Sequence, residues 1–303
     1  MKDKTIKVLL SAYNGEKYIE EQIDSILAQT YQNIEVFVRD DGSTDTTCSL
    51  LEEYEKSGKI KLIKGKNVGF IASFFELFQL CGDADYYAFA DQDDVWNTNK
   101  IEFAIEKLES KNQDIPLLYF SNYDYYSQEL KYLGQGNTGE KRPSFHNSLV
   151  DCMPLGFNMV FNRKAYLTVI KSRPKHSCGH DWWMYMICSG LGQVIYDDRP
   201  TVKYRRHNSN VSAGGMSFWK FQVWRFKKFF LNNYFDNIRK QLQEYEDLYA
   251  NSLSEDNRKL LSLFTAERFK LKKVIIKLCY PHRFRQSIGE EIMIRSLFLL
   301  GKL

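Results

Sequence analysis

The stretch Tyr86-Tyr87-Ala88-Phe89-Ala90-Asp91-Gln92-Asp93-Asp94-Val95-Trp96 constrains the fold more than any other part of the chain. A short, unbroken apolar run rich in aromatics reads as a strand buried on both faces. It stops abruptly at Asp91, Asp93 and Asp94. Such a strand belongs inside an α/β sheet, and the carboxyl ends of its strands are where these sheets place ligands. Three carboxylates crowded there repel one another unless a cation lies among them. A hard divalent ion, Mn²⁺ or Mg²⁺, suits oxygen ligands and keeps positions open for substrate phosphates. The plainer alternative is an acidic turn in which Asp94 or Asn97 caps a helix beginning near Thr98.

The preceding segments repeat one pattern. Ile6 to Ala12 reads as a strand followed by the turn Tyr13-Asn14-Gly15, with Asn14 placed to cap a helix carrying Ile19, Ile23, Ile26 and Leu27 on one face. Ile34 to Val38 is a second strand, ending in Arg39-Asp40-Asp41-Gly42-Ser43-Thr44-Asp45. Ser43 or Thr44 is placed to cap the helix that follows. Ile60 to Ile63 is a third strand, followed by Gly65-Lys66-Asn67-Val68-Gly69 and a helix through Phe74, Phe75 and Phe78. This alternation predicts a Rossmann-like, doubly wound, mainly parallel sheet. The first turn has a single glycine, so neither a dinucleotide-binding fingerprint nor a P-loop is present. Tyr13, Asp41, Asp91 and Asp93 therefore fall at strand ends that converge on one crevice. A tyrosine ring there can stack on a base and an aspartate can accept from a pyrimidine N–H; equally, both are ordinary core and capping residues.

Five motifs in order, Val8-Leu-Leu-Ser-Ala-Tyr-Asn-Gly15, Asp40-Asp-Gly-Ser-Thr-Asp45, Asp91-Gln-Asp-Asp-Val-Trp96, Gly179-His-Asp-Trp-Trp183 and Tyr204-Arg-Arg-His207, resemble the family 2 glycosyltransferases of the GT-A fold. The pattern is similar to the bacterial rhamnosyltransferase-like branch that builds surface polysaccharide, and it covers roughly residues 5 to 215. The resemblance implies a metal-dependent inverting transferase. Ala12, Tyr13, Asn14, Asp41, Asn67, Asp91, Gln92, Arg205 and Arg206 would bind the donor. Asp93, Asp91 and His207 would hold the metal, and Asp181 would be the catalytic base. Where the broad family often has Glu-Asp, this chain has His180-Asp181. It also lacks a strict Gln-x-x-Arg-Trp motif, which favours single additions over processive synthesis. The implied donor is dTDP-rhamnose, or another UDP- or dTDP-sugar, and the implied acceptor is a saccharide or lipid-linked saccharide.

The residues themselves add detail. An ionised Asp181 at a helix start can take a proton from a sugar hydroxyl. Of Trp182 and Trp183, one is expected on the acceptor sugar and the other in the core. Gly156 marks a close backbone approach, assigned to the acceptor side. Arg205-Arg206 beside a serine-rich loop suits phosphate oxygens. Residues 134–147 read as a polar loop.

The predicted organisation is a catalytic domain over 1–216 and a helical region over 217–303, membrane-associating or oligomerising. Within the latter, Phe218 to Phe230 interleaves aromatics with cations, as in a helix lying at a membrane interface. The net charge of only +4 names no partner, and nucleic acid is not expected. The six cysteines are scattered and suit a reducing compartment. With no signal peptide and no apolar stretch long enough to span a bilayer, a cytoplasmic protein is expected, free or at the inner face of the membrane. Two other readings remain at this level: a nucleotidyltransferase, and a non-catalytic sugar- or nucleotide-binding membrane scaffold.

Overall fold

The computed structural model describes residues 4–136, 141–207, 234–265 and 271–301. The first half builds as predicted. Strands β1 (Ile6–Ala12), β2 (Ile34–Asp40), β3 (Lys61–Lys64) and β4 (Tyr86–Ala90) pair in parallel in the order β3-β2-β1-β4. Helices α1 (Ile19–Leu27), α2 (Thr47–Lys56) and α3 (Phe70–Leu80) connect them.

The two faces of these strands feed different cores, because successive side chains point to opposite sides. Leu9, Phe37, Tyr87 and Phe89 pack on one side with Phe74, Phe78 and Phe161. Val8, Val36, Val38, Ala88 and Ala90 pack on the other with Ile19, Ile23 and Ile26 of α1, and with Ile101 and Ile105 of α4 (Lys100–Glu109). Strand β4 is buried at every position, which is what its unbroken apolar run required.

Beyond β4 the pairing is mixed. A two-residue strand β5 (Val95–Trp96) precedes α4, then come β6 (Leu117–Tyr126), β7 (Tyr132–Gln135), a short α5 (Phe145–Ser148) and β8 (Met159–Asn162). Strand β8 inserts between β4 and β6, antiparallel to both. It arrives from a loop, with no crossover helix to turn it parallel. The apolar run from Met153 is strand only from Met159, since Gly156–Asn158 forms a 3₁₀ turn. After α6 (Arg163–Ile170) and α7 (His180–Leu191), the long β9 (Gln193–Arg205) runs parallel to β6. Its register shifts opposite Ser121 and Asn122, where Pro200 interrupts the ladder. Strand β9 also pairs antiparallel with β5, and this delivers residues 205–207 to the carboxylate turn.

The helices near the C-terminus, α8 (Tyr234–Tyr249), α9 (Glu255–Thr265), α10 (Leu271–Leu278) and α11 (Ile288–Leu299), share the α7-side core. Ile238, Leu242 and Tyr245 are fully buried there, and the Tyr245 hydroxyl donates to the Met186 carbonyl (3.0 Å). Each such side chain contributes about 2 kcal/mol by burial, so α8 is an integral part of the catalytic body. The aromatic–basic segment 218–230 lies outside the described residues, as do residues 137–140 of the expected loop, whose ends are not loop: Gly134 and Gln135 close β7, and Phe145 to Asn147 lie in α5. Among the described residues no helix is long and apolar enough to cross a membrane.

Candidate active site

Strand β1 ends at Ala12, whose carbonyl accepts the Asp41 N–H (2.8 Å), so the first two strand ends are tied together. The next residue, Tyr13, is 44% exposed and presents its ring at the crevice mouth. Its backbone is clamped by Gln92: the Tyr13 N–H donates to Gln92 Oε1 (2.8 Å), and Gln92 Nε2 donates back to the Tyr13 carbonyl (3.1 Å). Gly15 makes this clamp feasible, since a Cβ there would stand 2.4 Å from Gln92 Oε1. Asn14 does not cap α1. It sits at φ 49°, and its Oδ1 accepts the Thr44 N–H (2.8 Å), lacing the first turn to the second. Neither Ser43 nor Thr44 caps α2, which begins at Thr47; Ser43 is bound back to Asp40.

Asp41 departs from its expected placement. It is 2% exposed and ion-paired to the buried Arg39, and it accepts the N–H groups of Val68 (2.9 Å) and Gly69 (3.0 Å). A base would compete with three donors for this carboxylate. Here its work is to hold the 65–69 loop, with exposed Asn67 accepting from Gly69 (3.1 Å). Arg39 escaped the sequence reading, although a lone cation ending a buried strand is a signal that something pairs with it.

The carboxylate turn is as crowded as the sequence implied. Burial first, then the charges of Asp93 and Asp181, push the Asp91 carboxyl up to about 8. Burial, with Asp93 and Asp91, also holds Asp94 well above the usual carboxylate range. Asp94 is the structural member of the set. It is fully buried, its Oδ1 accepts the Arg205 N–H (3.0 Å), and its Oδ2 has no hydrogen-bond partner. Lys100, fully buried over the Trp96 ring (4.6 Å) and donating to the Phe157 carbonyl (3.1 Å), is its electrostatic counterpart. The cap of α4 is thus neither Asp94 nor the Asn97 side chain, which donates to Pro200 (2.9 Å).

Asp93 Oδ2 lies 2.6 Å from His207 Nε2, and the His207 ring stacks on Tyr18 (centroids 5.1 Å). Arg205 corrects the donor-phosphate expectation. Its guanidinium is buried, paired with Glu21, bonded to the Asp93 carbonyl (2.9 Å) and laid on Tyr18 (4.6 Å). It braces the turn from beneath. Arg206 is half-buried against the Tyr125 and Tyr204 rings, and its guanidinium donates to the Tyr204 hydroxyl (3.1 Å). Tyr18, Glu21 and Lys100 were missed because nothing in the local sequence separates them from surface positions on α1 and α4.

These side chains suit a divalent ion only in part. Among the described residues, no three acidic, histidine or cysteine side chains are arranged to hold one by themselves. Asp93 and His207, 2.6 Å apart, supply a carboxylate oxygen and an imidazole nitrogen at one point, with Asp91 beside them. That set fits Mn²⁺ or Mg²⁺ when substrate phosphates complete the shell.

Asp181 opens α7 and its Oδ1 accepts the Trp182 N–H (2.7 Å). Packing of His180 on Phe74 of α3 and Phe89 of β4 brings the start of α7 alongside Asp91, which lies within reach of the Asp181 charge. Both tryptophans are buried in the α7-side core. Trp183 is fully buried against Tyr245 and Tyr249 and belongs to the core, so it is withdrawn as an acceptor contact. Trp182 donates Nε1 to the Ser148 carbonyl (2.7 Å) and lines a cavity. Gly156 is also buried: its close approach is to His180, whose Nε2 would lie 2.8 Å from a Cβ at 156.

His180, stacked on Phe74 (3.7 Å) with both ring nitrogens unpartnered, is held neutral; burial pulls it down to about 4 against the partial opposition of Asp181. A histidine depressed in the fold is protonated first in the unfolded chain. Stability is therefore unaffected above about pH 6.5 and is lost as pH falls toward 4, by about 3 kcal/mol for this group. His180→Phe keeps the stack and cannot protonate. Urea titrations at pH 7 and pH 4 should show the variant gaining about that much relative to wild type; an equal response in both proteins would refute a buried neutral imidazole.

The sheet order, with a carboxylate turn after its central strand and an acid-tipped helix facing that turn, defines a GT-A nucleotide-sugar transferase fold. The family model for glycosyl transferase family 2 matches residues 7–169, and the chain belongs to that family. An uncharacterized glycosyltransferase of Haemophilus influenzae is 34% identical over 220 residues, covering 69% of this chain and 67% of the relative. The dTDP-rhamnosyl transferase RfbG of Shigella flexneri is 31% identical over 223 residues, covering 69% and 75%. Among solved structures, S. aureus TarS 1–349 superposes with a TM-score of 0.58 at 14% identity, over 98% of this chain and 80% of that one. Its complex with UDP-GlcNAc gives 0.56. A mannosyltransferase of Pyrobaculum calidifontis in complex with GDP-Man and Mn²⁺ gives 0.50 at 14% identity.

Proposed function

We propose that this glycosyltransferase moves L-rhamnose, or another sugar carried on dTDP or UDP, to a saccharide acceptor of a bacterial surface polysaccharide, with inversion and with a divalent ion. The observation that carries the proposal is the gathering of Asp91, Asp93 and Asp181 at one strand end, between an exposed Tyr13 ring and the first turn of α7. The relative named as a dTDP-rhamnosyl transferase supports the donor, and the neighbours that hold UDP-GlcNAc and GDP-Man support a nucleotide-sugar.

In this reading Tyr13 stacks on the base while the Asp41-held loop and Asn67 border it. Arg206 meets phosphate oxygens, and Asp93 with His207 would hold the ion. When bound, Mn²⁺ or Mg²⁺ supplies positive charge against which the diphosphate leaves. Asp181 accepts the proton of the acceptor hydroxyl. The freed oxygen bonds to the anomeric carbon from the side opposite the diphosphate, which departs with the electrons of its C–O bond. A thermal-shift screen of nucleotide-sugars with Mn²⁺ tests the donor. The true donor raises the melting temperature with concentration; a flat response to every dTDP- and UDP-sugar would refute the reading.

A lipid-linked acceptor places the enzyme at a bilayer, and one described surface suits that. On α10 and α11, Leu271, Ile275, Ile288, Ile292 and Leu299 are 50–65% exposed. The sequence from 268 to 289 contains no acidic residue. Ile288→Glu/Ile292→Glu should abolish flotation with anionic vesicles; failure of wild type to float at low salt refutes the contact.

A further inference from the structure

The acceptor side of the crevice carries a second, basic compartment outside the machinery described above. A cavity of about 530 Å³ opens at the start of α7, lined by Trp182, Ser177, Tyr234, Asn237, Lys175 and Lys240 among others. It is built jointly from the 175–178 loop and α8. A second hollow of about 360 Å³ shares Lys175 and Ser177 with it and runs to Val68 and Gly69, the residues held by Asp41. Lys175 thus stands where the two hollows meet, and Trp182, the neighbour of Asp181 in the chain, lines the larger of them.

The charges here are unbalanced. Glu244, the nearby carboxylate on α8, is committed to backbone: it accepts the N–H groups of Lys175 (2.7 Å) and His176 (2.7 Å), fixing the loop. Neither Lys175 nor Lys240 forms an ion pair among the described residues, and both are exposed to the cavity. Two lysine point charges, with the amide donors of Asn237 beside them, suit a phosphate better than a neutral sugar. The Trp182 and Tyr234 rings beside them suit an apolar sugar face or chain.

We propose that this compartment binds a phosphate group of the acceptor, so that the substrate offered to Asp181 is an anionic, phosphate-bearing saccharide. The proposal rests on the glycosyl-transfer reading. The phosphate is either the diphosphate linking a saccharide to a lipid or a phosphodiester within a polymer.

The test uses the full chain with saturating UDP and Mg²⁺, so that the donor site is filled. Titration calorimetry with geranyl diphosphate probes the lipid-linked source, and bis-glycerol phosphodiester probes the polymer. Wild type should bind one of them, the preferred probe naming the source, and Lys175→Gln/Lys240→Gln should weaken that binding at least about tenfold with UDP affinity unchanged. Both substitutions are on exposed side chains, and UDP binding reports that the variant is folded. If neither probe binds UDP-loaded wild type, or the variant binds as well as wild type, the phosphate subsite is wrong. If wild type bound neither UDP nor dTDP, the nucleotide-sugar reading itself would be overturned, and if it bound dTDP alone, dTDP would replace UDP in the titrations.

Discussion

Asp181→Asn should retain donor affinity and lose transfer by about 100-fold or more, the usual scale for removing a general base. The asparagine can still accept the Trp182 N–H through its Oδ1, so the first turn of α7 and the Trp182 wall of the cavity persist. What disappears is an atom able to hold the acceptor proton while the new C–O bond forms. The diagnostic split is in kcat at saturating donor, with the donor Kd unchanged. If donor binding falls and turnover at saturation is normal, Asp181 positions substrate and another group is the base.

Asp93→Asn is the second large effect. It should abolish the dependence of donor binding on Mn²⁺ or Mg²⁺, weakening donor affinity by at least about 10- to 100-fold. The fold should survive, because an asparagine Oδ1 can accept from His207 and because one of the charges that raises Asp91 and Asp94 is gone. Calorimetric titration with and without a chelator measures this directly. Unchanged, still metal-sensitive donor binding in the variant would remove Asp93 from the metal site.

Much of this architecture was legible in the chain. β4 announced itself through an apolar run that only a doubly buried strand tolerates, and the carboxylates ending it had to sit at a ligand-binding strand end. The strand–helix repeat gave β1 to β3 for the same reason. The mixed pairing was not legible. β8 reads as an ordinary short apolar strand, and its antiparallel insertion depends on a loop path that leaves no periodicity. Site residues divide along the same line. Motifs place Tyr13, Asp93, Asp181 and His207 at element ends, and the fold brings Asp93 and His207 into contact there. Arg205 was misjudged because two adjacent arginines look alike in sequence, while the β5–β9 pairing buries one under Asp93 and leaves the other half-buried between Tyr125 and Tyr204. Tyr18 and Glu21 became visible only when that burial supplied their partner.

In the proposed reaction the bond broken lies between the anomeric carbon and the diphosphate, and Asp181 serves the incoming oxygen. ³¹P NMR of the purified chain with Mg²⁺ and the nucleotide-sugar selected by the thermal-shift screen measures this in one tube. The account predicts slow release of nucleoside diphosphate even with water as acceptor, faster release with a phosphate-bearing saccharide, and near loss of both in Asp181→Asn. Release of nucleoside monophosphate, or equal release by the Asp181→Asn variant, would contradict it.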